Sequence, residues 1–142
     1  MNKLINFGIK IIVFVFIFLI SFIGNVYFHE GGHYLAAEMF GLRPSLEVAS
    51  IDNSLNYILE SKPITSVSFD EAGKIETFII GLLGPLINLL ISIIFLIIYL
   101  ANRNDYVKMV SLTGFIPSIM SFVVNILPFN GTDGSVLLSL LN

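Results

Sequence analysis

The sequence predicts an all-α integral membrane protein. Its expected form is a three-transmembrane-helix core, with a small β-hairpin-like, membrane-associated segment between helices 1 and 2 and a short C-terminal helix. Three observations predict it. Hydrophobic residues make up 56% of the 142 positions and charged residues only 12%, where a soluble domain carries about a quarter charged. Three apolar stretches approach or exceed the roughly 20 residues needed to cross a hydrocarbon core. The one polar region lies between the first two of them.

Helix 1 is expected over about 5–40. Its apolar run IIVFVFIFLISFIGNVYF fills Ile11 to Phe28, and the helical pattern continues through HEGGHYLAAEMFG. Lys3 and Lys10 precede the run as they would in a signal peptide, but no small-residue cleavage site follows, so the helix is expected to be retained. Gly41, with Pro44 three residues later, marks its stop. Residues 42–76 form the polar, β-prone segment. LEVASI, LNYILE and ITSVSF are short runs separated by Asp52-Asn53-Ser54 and Lys62-Pro63, a pattern of a hairpin or three-stranded sheet. Helix 2 is expected over about 77–102 and helix 3 over about 107–127, on stretches uncharged from Thr77 to Asn102 and from Met109 to Thr132; they read as helices because spanning backbone must satisfy its own hydrogen bonds. An Asp-Gly loop and a short helix, too short to cross, complete the chain over 128–142. The whole, 1–142, reads as a single domain.

Composition also excludes. A net charge of −3 without a basic run argues against a nucleic-acid partner. With no cysteine, neither a disulfide framework nor a thiolate site is available.

Polar residues inside apolar helices are costly and mark function by default. In helix 1, Ser21, Asn25, His29 and His33 recur every fourth position. In helix 2, Gly81, Gly84, Asn88 and Ser92 follow a similar rhythm, and in helix 3 so do Ser111, Gly114, Ser118, Ser121 and Asn125. Close helix packing accounts for the serines and glycines. It does not account for the asparagines or histidines, whose polar groups need partners in a dry interior.

His29-Glu30-Gly31-Gly32-His33 contains both histidines of the chain. Four residues of helix turn the backbone by about 400°, so the two imidazoles project from one face, one turn apart. That spacing suits two ligands of a tetrahedral zinc ion, with Glu30 placed to serve a bound water as general base. As isolated residues they would equally serve as interfacial caps, and a catalytic site needs a third ligand. A third histidine is absent; Glu38, Glu47, Glu60 and Asp133 are the carboxylates in play. Asp133 is the only charged residue after Lys108, and Pro128, Gly131 and Gly134 bracket it, breakers that let a carboxylate turn back toward a buried site.

Three motifs then resemble, in order, those of the site-2 protease family of intramembrane zinc metalloproteases. They are His29-Glu30-Gly31-Gly32-His33 at the end of a membrane helix, Gly84-Pro85-Leu86-Ile87-Asn88 in the next, and Asn125-Ile126-Leu127-Pro128 followed by Asp133-Gly134. The resemblance covers nearly everything from about residue 20 and is to a compact member without a PDZ domain. It implies His29, His33 and Asp133 as ligands of one Zn2+, Glu30 as catalytic acid/base, and Asn88 and Asn125 as substrate-positioning or oxyanion residues. The implied activity is a zinc metalloendopeptidase, cutting peptide bonds within or near transmembrane helices of membrane-protein substrates. Such a substrate helix must unwind locally, and residues 45–69 are a candidate to hold the unwound strand.

The alternative reading is a non-proteolytic zinc-binding membrane protein. Metal transport or sensing would call for further ligands along a path, and none are evident. A helix-binding pseudoprotease would have no need of both Glu30 and Asp133. Lys3, Lys10, Arg103 and Lys108 lie at one end and Arg43, Lys62 and Lys74 at the other, a balance that assigns no orientation under the positive-inside rule. The resemblance implies a multi-pass cell membrane protein, with the active site toward the cytoplasm; the compact form suits a bacterium.

Overall fold

A computed structural model describes residues 3–48, 65–68 and 70–142. In chain order it places α1 (Lys3–Met39), β1 (Ser45–Val48), β2 (Thr65–Ser68), α2 (Lys74–Ala101), α3 (Asp105–Ile126) and α4 (Asp133–Leu141). Three of these, α1, α2 and α3, are long and apolar enough to cross a membrane.

The helix ends follow from local chemistry. After α1, Gly41 takes a positive φ of 72°, its N–H donates to the Glu38 carbonyl and the Leu42 N–H donates to that of Ala37. This is a Schellman stop, and Leu42 completes it by packing on Ala36, Ala37 and Ile80. α2 begins three residues before the expected position. Glu76 accepts the Gly73 N–H at 2.7 Å, which ties the first turn down ahead of the apolar run. The start of α3 is set by Asn104, whose side chain accepts from the N–H groups of Tyr106 and Val107 at 2.9 and 3.4 Å.

In the polar segment, β1 and β2 pair antiparallel, Ser45 opposite Ser68 and Glu47 opposite Ser66. LEVASI and ITSVSF thus each supply part of a strand. The expected strand in LNYILE, the Asp52-Asn53-Ser54 turn and Glu60 lie outside the described residues.

Packing is inverted relative to a soluble protein. Among the described residues the buried apolar set is Ala36, Ala37, Ile80 and Leu137, while the buried polar set is twice as large: Asn25, His29, His33, Asn88, Ser92, Ser111, Thr113 and Ser118. Outward faces carry Ile, Leu, Phe and Val, an exposed apolar surface compatible with a lipid surround. The helices meet through their small and polar stripes, as membrane helices do. At the crossing of α1 and α2, a Cβ added to Gly32 would fall 2.8 Å from the Leu83 carbonyl oxygen, and one on Gly84 would fall 2.5 Å from His33 Cε1. Only glycine lets the His33 ring lie on the backbone of α2.

Candidate metal centre

His29 and His33 share one face of α1, as the four-residue spacing requires, and both are buried. Their Nε2 atoms lie 3.1 Å apart. The third component arrives from the other end of the chain. Asp133 opens α4, with Oδ2 3.0 Å from His29 Nε2 and Oδ1 3.3 Å from His33 Nε2.

Local packing delivers that carboxylate. Thr132 donates its hydroxyl to the carbonyls of Leu127 and Phe129 at 2.6 and 2.8 Å, folding the loop after α3 back on itself. Gly131 supplies a positive φ of 84°. A Cβ on Gly134 would fall 2.5 Å from the Leu127 carbonyl oxygen, so α4 can start this close to the end of α3 only with glycine after Asp133. The Asp-Gly pair is more than a turn: one residue carries the carboxylate and the other makes room for it.

The three groups fit a metal ion. His33 Nδ1 lies 2.7 Å from the Ile80 carbonyl oxygen. A carbonyl only accepts, so Nδ1 carries the hydrogen and the neutral ring keeps its lone pair at Nε2. That lone pair faces the Asp133 carboxylate, an arrangement that repels unless a cation or proton lies between. Oδ2 of Asp133 is buried and has no aligned hydrogen-bond donor. A tetrahedral ion with bonds of ~2.0–2.1 Å spaces its ligand atoms about 3.3 Å apart; the two Nε2 atoms lie 3.1 Å apart, and one ligand atom from each of His29, His33 and Asp133 lies within 4.8 Å of the others. Among the described residues, His29, His33 and Asp133 are the group that could hold a metal ion.

The other carboxylates separate cleanly. Glu38 and Glu47 are exposed, and Glu47 accepts a hydrogen bond from the Ser68 hydroxyl at 3.2 Å. Glu30 lines the same cavity as His29, His33 and Asp133, and Ser66 and Val67 of β2 border it too. This cavity of about 520 Å³ extends past Thr77 and Gly81 to Ser66, Val67 and Gly131. It therefore runs along the first half of α2, toward the end of the molecule that carries the sheet.

The two asparagines occupy different places. Asn125 lines the cavity and donates to Ser121 Oγ at 3.2 Å. Asn88 is fully buried and stands behind His29, its Nδ2 3.0 Å from His29 Nδ1 and 2.7 Å from Ser121 Oγ. Two participants are not singled out by sequence: Ser121 belongs to a stripe that reads as packing, whereas the Ile80 carbonyl is a backbone group that no residue type announces.

Compared with known proteins, the chain matches no family model, no curated protein and no solved structure.

Proposed function

We propose that the protein is a zinc-dependent intramembrane endopeptidase, similar to the site-2 protease family. The observation that carries this is the convergence of Asp133 with His29 and His33, beside a glutamate already placed by the His29–His33 spacing. Without Asp133 the five-residue motif would be a weak signal. With it, both imidazole Nε2 atoms and one carboxylate face a common point, and Glu30 borders the cavity that opens onto that point.

In this reading His29, His33 and Asp133 hold the ion. When bound, zinc supplies Lewis acidity, polarising a peptide carbonyl and making water nucleophilic near neutral pH. Glu30 takes the proton from the attacking water and returns it to the leaving amine. Asn125, on the cavity wall, is positioned to meet the substrate backbone. Gly84 stands ~15 Å along α2 from Lys74 at 1.5 Å per residue, well inside a hydrocarbon layer of ~30 Å. Water would reach that depth through the cavity from the sheet side. The substrate is a transmembrane segment that unwinds before it is cut, because an intact helix shields its carbonyls. β2 borders the cavity with Ser66 and Val67 and is the edge on which the unwound strand is taken to rest.

Glu30→Gln tests the assignment. The variant should retain one zinc per chain and lose cleavage of a model transmembrane substrate in detergent or liposomes. Cleavage at the wild-type rate would sink the mechanism, since no other base lines the cavity among the described residues beside the ligands.

A further inference from the structure

Behind His29, away from the ligand atoms, three helices contribute a short chain of polar side chains. Asn88 of α2 has 0% exposure. One end of its carboxamide contacts both His29 Nδ1 at 3.0 Å and Ser121 Oγ at 2.7 Å, and Asn125 donates to the same Ser121 oxygen at 3.2 Å. With nitrogen at that end, Asn88 Oδ1 is buried without any partner. The two ends of a carboxamide have nearly the same shape, so the surrounding donors and acceptors decide which end goes where.

An ion held by His29 Nε2 needs the ring's lone pair there, which puts the ring hydrogen on Nδ1. Nδ1 must then donate, and the atom opposite must accept. We propose that Asn88 is the positioning residue of the metal centre: its Oδ1 accepts from His29 Nδ1–H and from the Ser121 hydroxyl, fixing His29 in the tautomer whose Nε2 binds the ion. This rests on the metal-centre reading above. The chain of bonds then runs from donor to acceptor without conflict. Asn125 N–H donates to Ser121, and Ser121 O–H and His29 Nδ1–H both donate to Asn88. The oxygen that lacked a partner gains two, and the amide nitrogen turns to the position it leaves. His33 is fixed in the same tautomer by the Ile80 carbonyl. Asn88 is not among the residues lining the cavity, so it acts through His29 and not on substrate.

The test uses the full chain in detergent with Zn2+ alone, measuring affinity by chelator competition and the ring nitrogens by 15N spectra. His29 and His33 are the only histidines, so two ring systems account for the whole signal. Asn88→Leu should weaken Zn2+ binding about 10–100-fold, the usual cost of losing such an outer partner. Asn88→Asp, which at that site can only accept, should hold zinc at wild-type strength, and wild-type spectra should show both rings protonated at Nδ1. Should Asn88→Leu fail to fold, the aspartate variant and the spectra still decide. The proposal falls if Asn88→Asp loses zinc, or if zinc-loaded His29 carries its hydrogen on Nε2. Wild-type protein that binds no Zn2+ overturns the metal-centre reading and the proposal with it. Wild-type protein that binds zinc no better than Asn88→Leu overturns the proposal alone.

Discussion

Adding one methyl group at Gly84 should disable the metal centre from outside it. The new Cβ would sit 2.5 Å from His33 Cε1, where non-bonded carbons prefer ~3.5–4.0 Å. Something must therefore move by about 1 Å, and a metal ligand tolerates only about 0.2 Å. Two escapes exist, and the structure obstructs both. His33 could swing away, but Nδ1 is tethered to the Ile80 carbonyl at 2.7 Å, and the swing carries Nε2 off the common point. Alternatively α1 and α2 could separate, but Gly32 lies against Leu83 and Gly84 at the same crossing, so the contact that brings the two helices together would be lost. Overpacking of this kind costs about 1–3 kcal/mol. Gly84→Ala should lower the thermal midpoint and reduce zinc affinity at least tenfold, read by chelator competition on purified protein. An alanine variant with wild-type zinc affinity and stoichiometry would refute the account of how His33 is placed.

Two further predictions follow from the same geometry. Asp133→Ala should weaken zinc binding by more than the ~100-fold upper range of an outer-sphere loss, while Glu47→Ala leaves it unchanged; the reverse pattern would mean that the third ligand is misassigned. Val67→Pro removes a backbone N–H from the strand that borders the cavity and disrupts that strand edge. A backbone hydrogen bond to a docked strand contributes ~0.5–1.5 kcal/mol, so cleavage should fall about two- to tenfold at constant zinc content, and unchanged cleavage would end the strand-docking idea.

Much of this was legible in the sequence because it depends on local periodicity. Apolar run length announced the three long helices, and the stripes at every third or fourth residue marked the faces that pack. His29 and His33 were fixed relative to each other by helix geometry alone. Gly41 and Pro44 announced the end of α1 through backbone preferences that act within a few residues. What was less legible depends on which element meets which. No local rule says that Gly84 of α2 lies under His33 of α1. Nor does one say that the carbonyl of Ile80, and not of a neighbour, takes its ring hydrogen. The start of α2 was missed by three residues because hydropathy begins at Thr77, whereas the hydrogen bond that starts the helix is made by Glu76. Asn88 was recognised as needing a partner, but a buried amide satisfies that need equally well with a substrate or with a histidine.

Asp133 shows how a site can be fixed by packing at a distance from its ligands. α4 spans nine residues, too few to cross a membrane, so its position must come from its neighbours. One end is set where Gly134 lies against the last carbonyls of α3 and Thr132 bonds back to Leu127 and Phe129. The other is set where Leu137 packs on α2, close enough that a Cβ on Gly81 would fall 3.3 Å from it. None of these contacts involves His29 or His33, yet together they set the start of α4, and with it Asp133, beside the two histidines. The carboxylate is therefore brought to the histidines by the fold, and under the proposed reading an ion arriving there would meet donors already gathered. That division of labour explains why small residues crowd the motifs. The ligands supply the chemistry, and the glycines beside them set the distances at which it can occur.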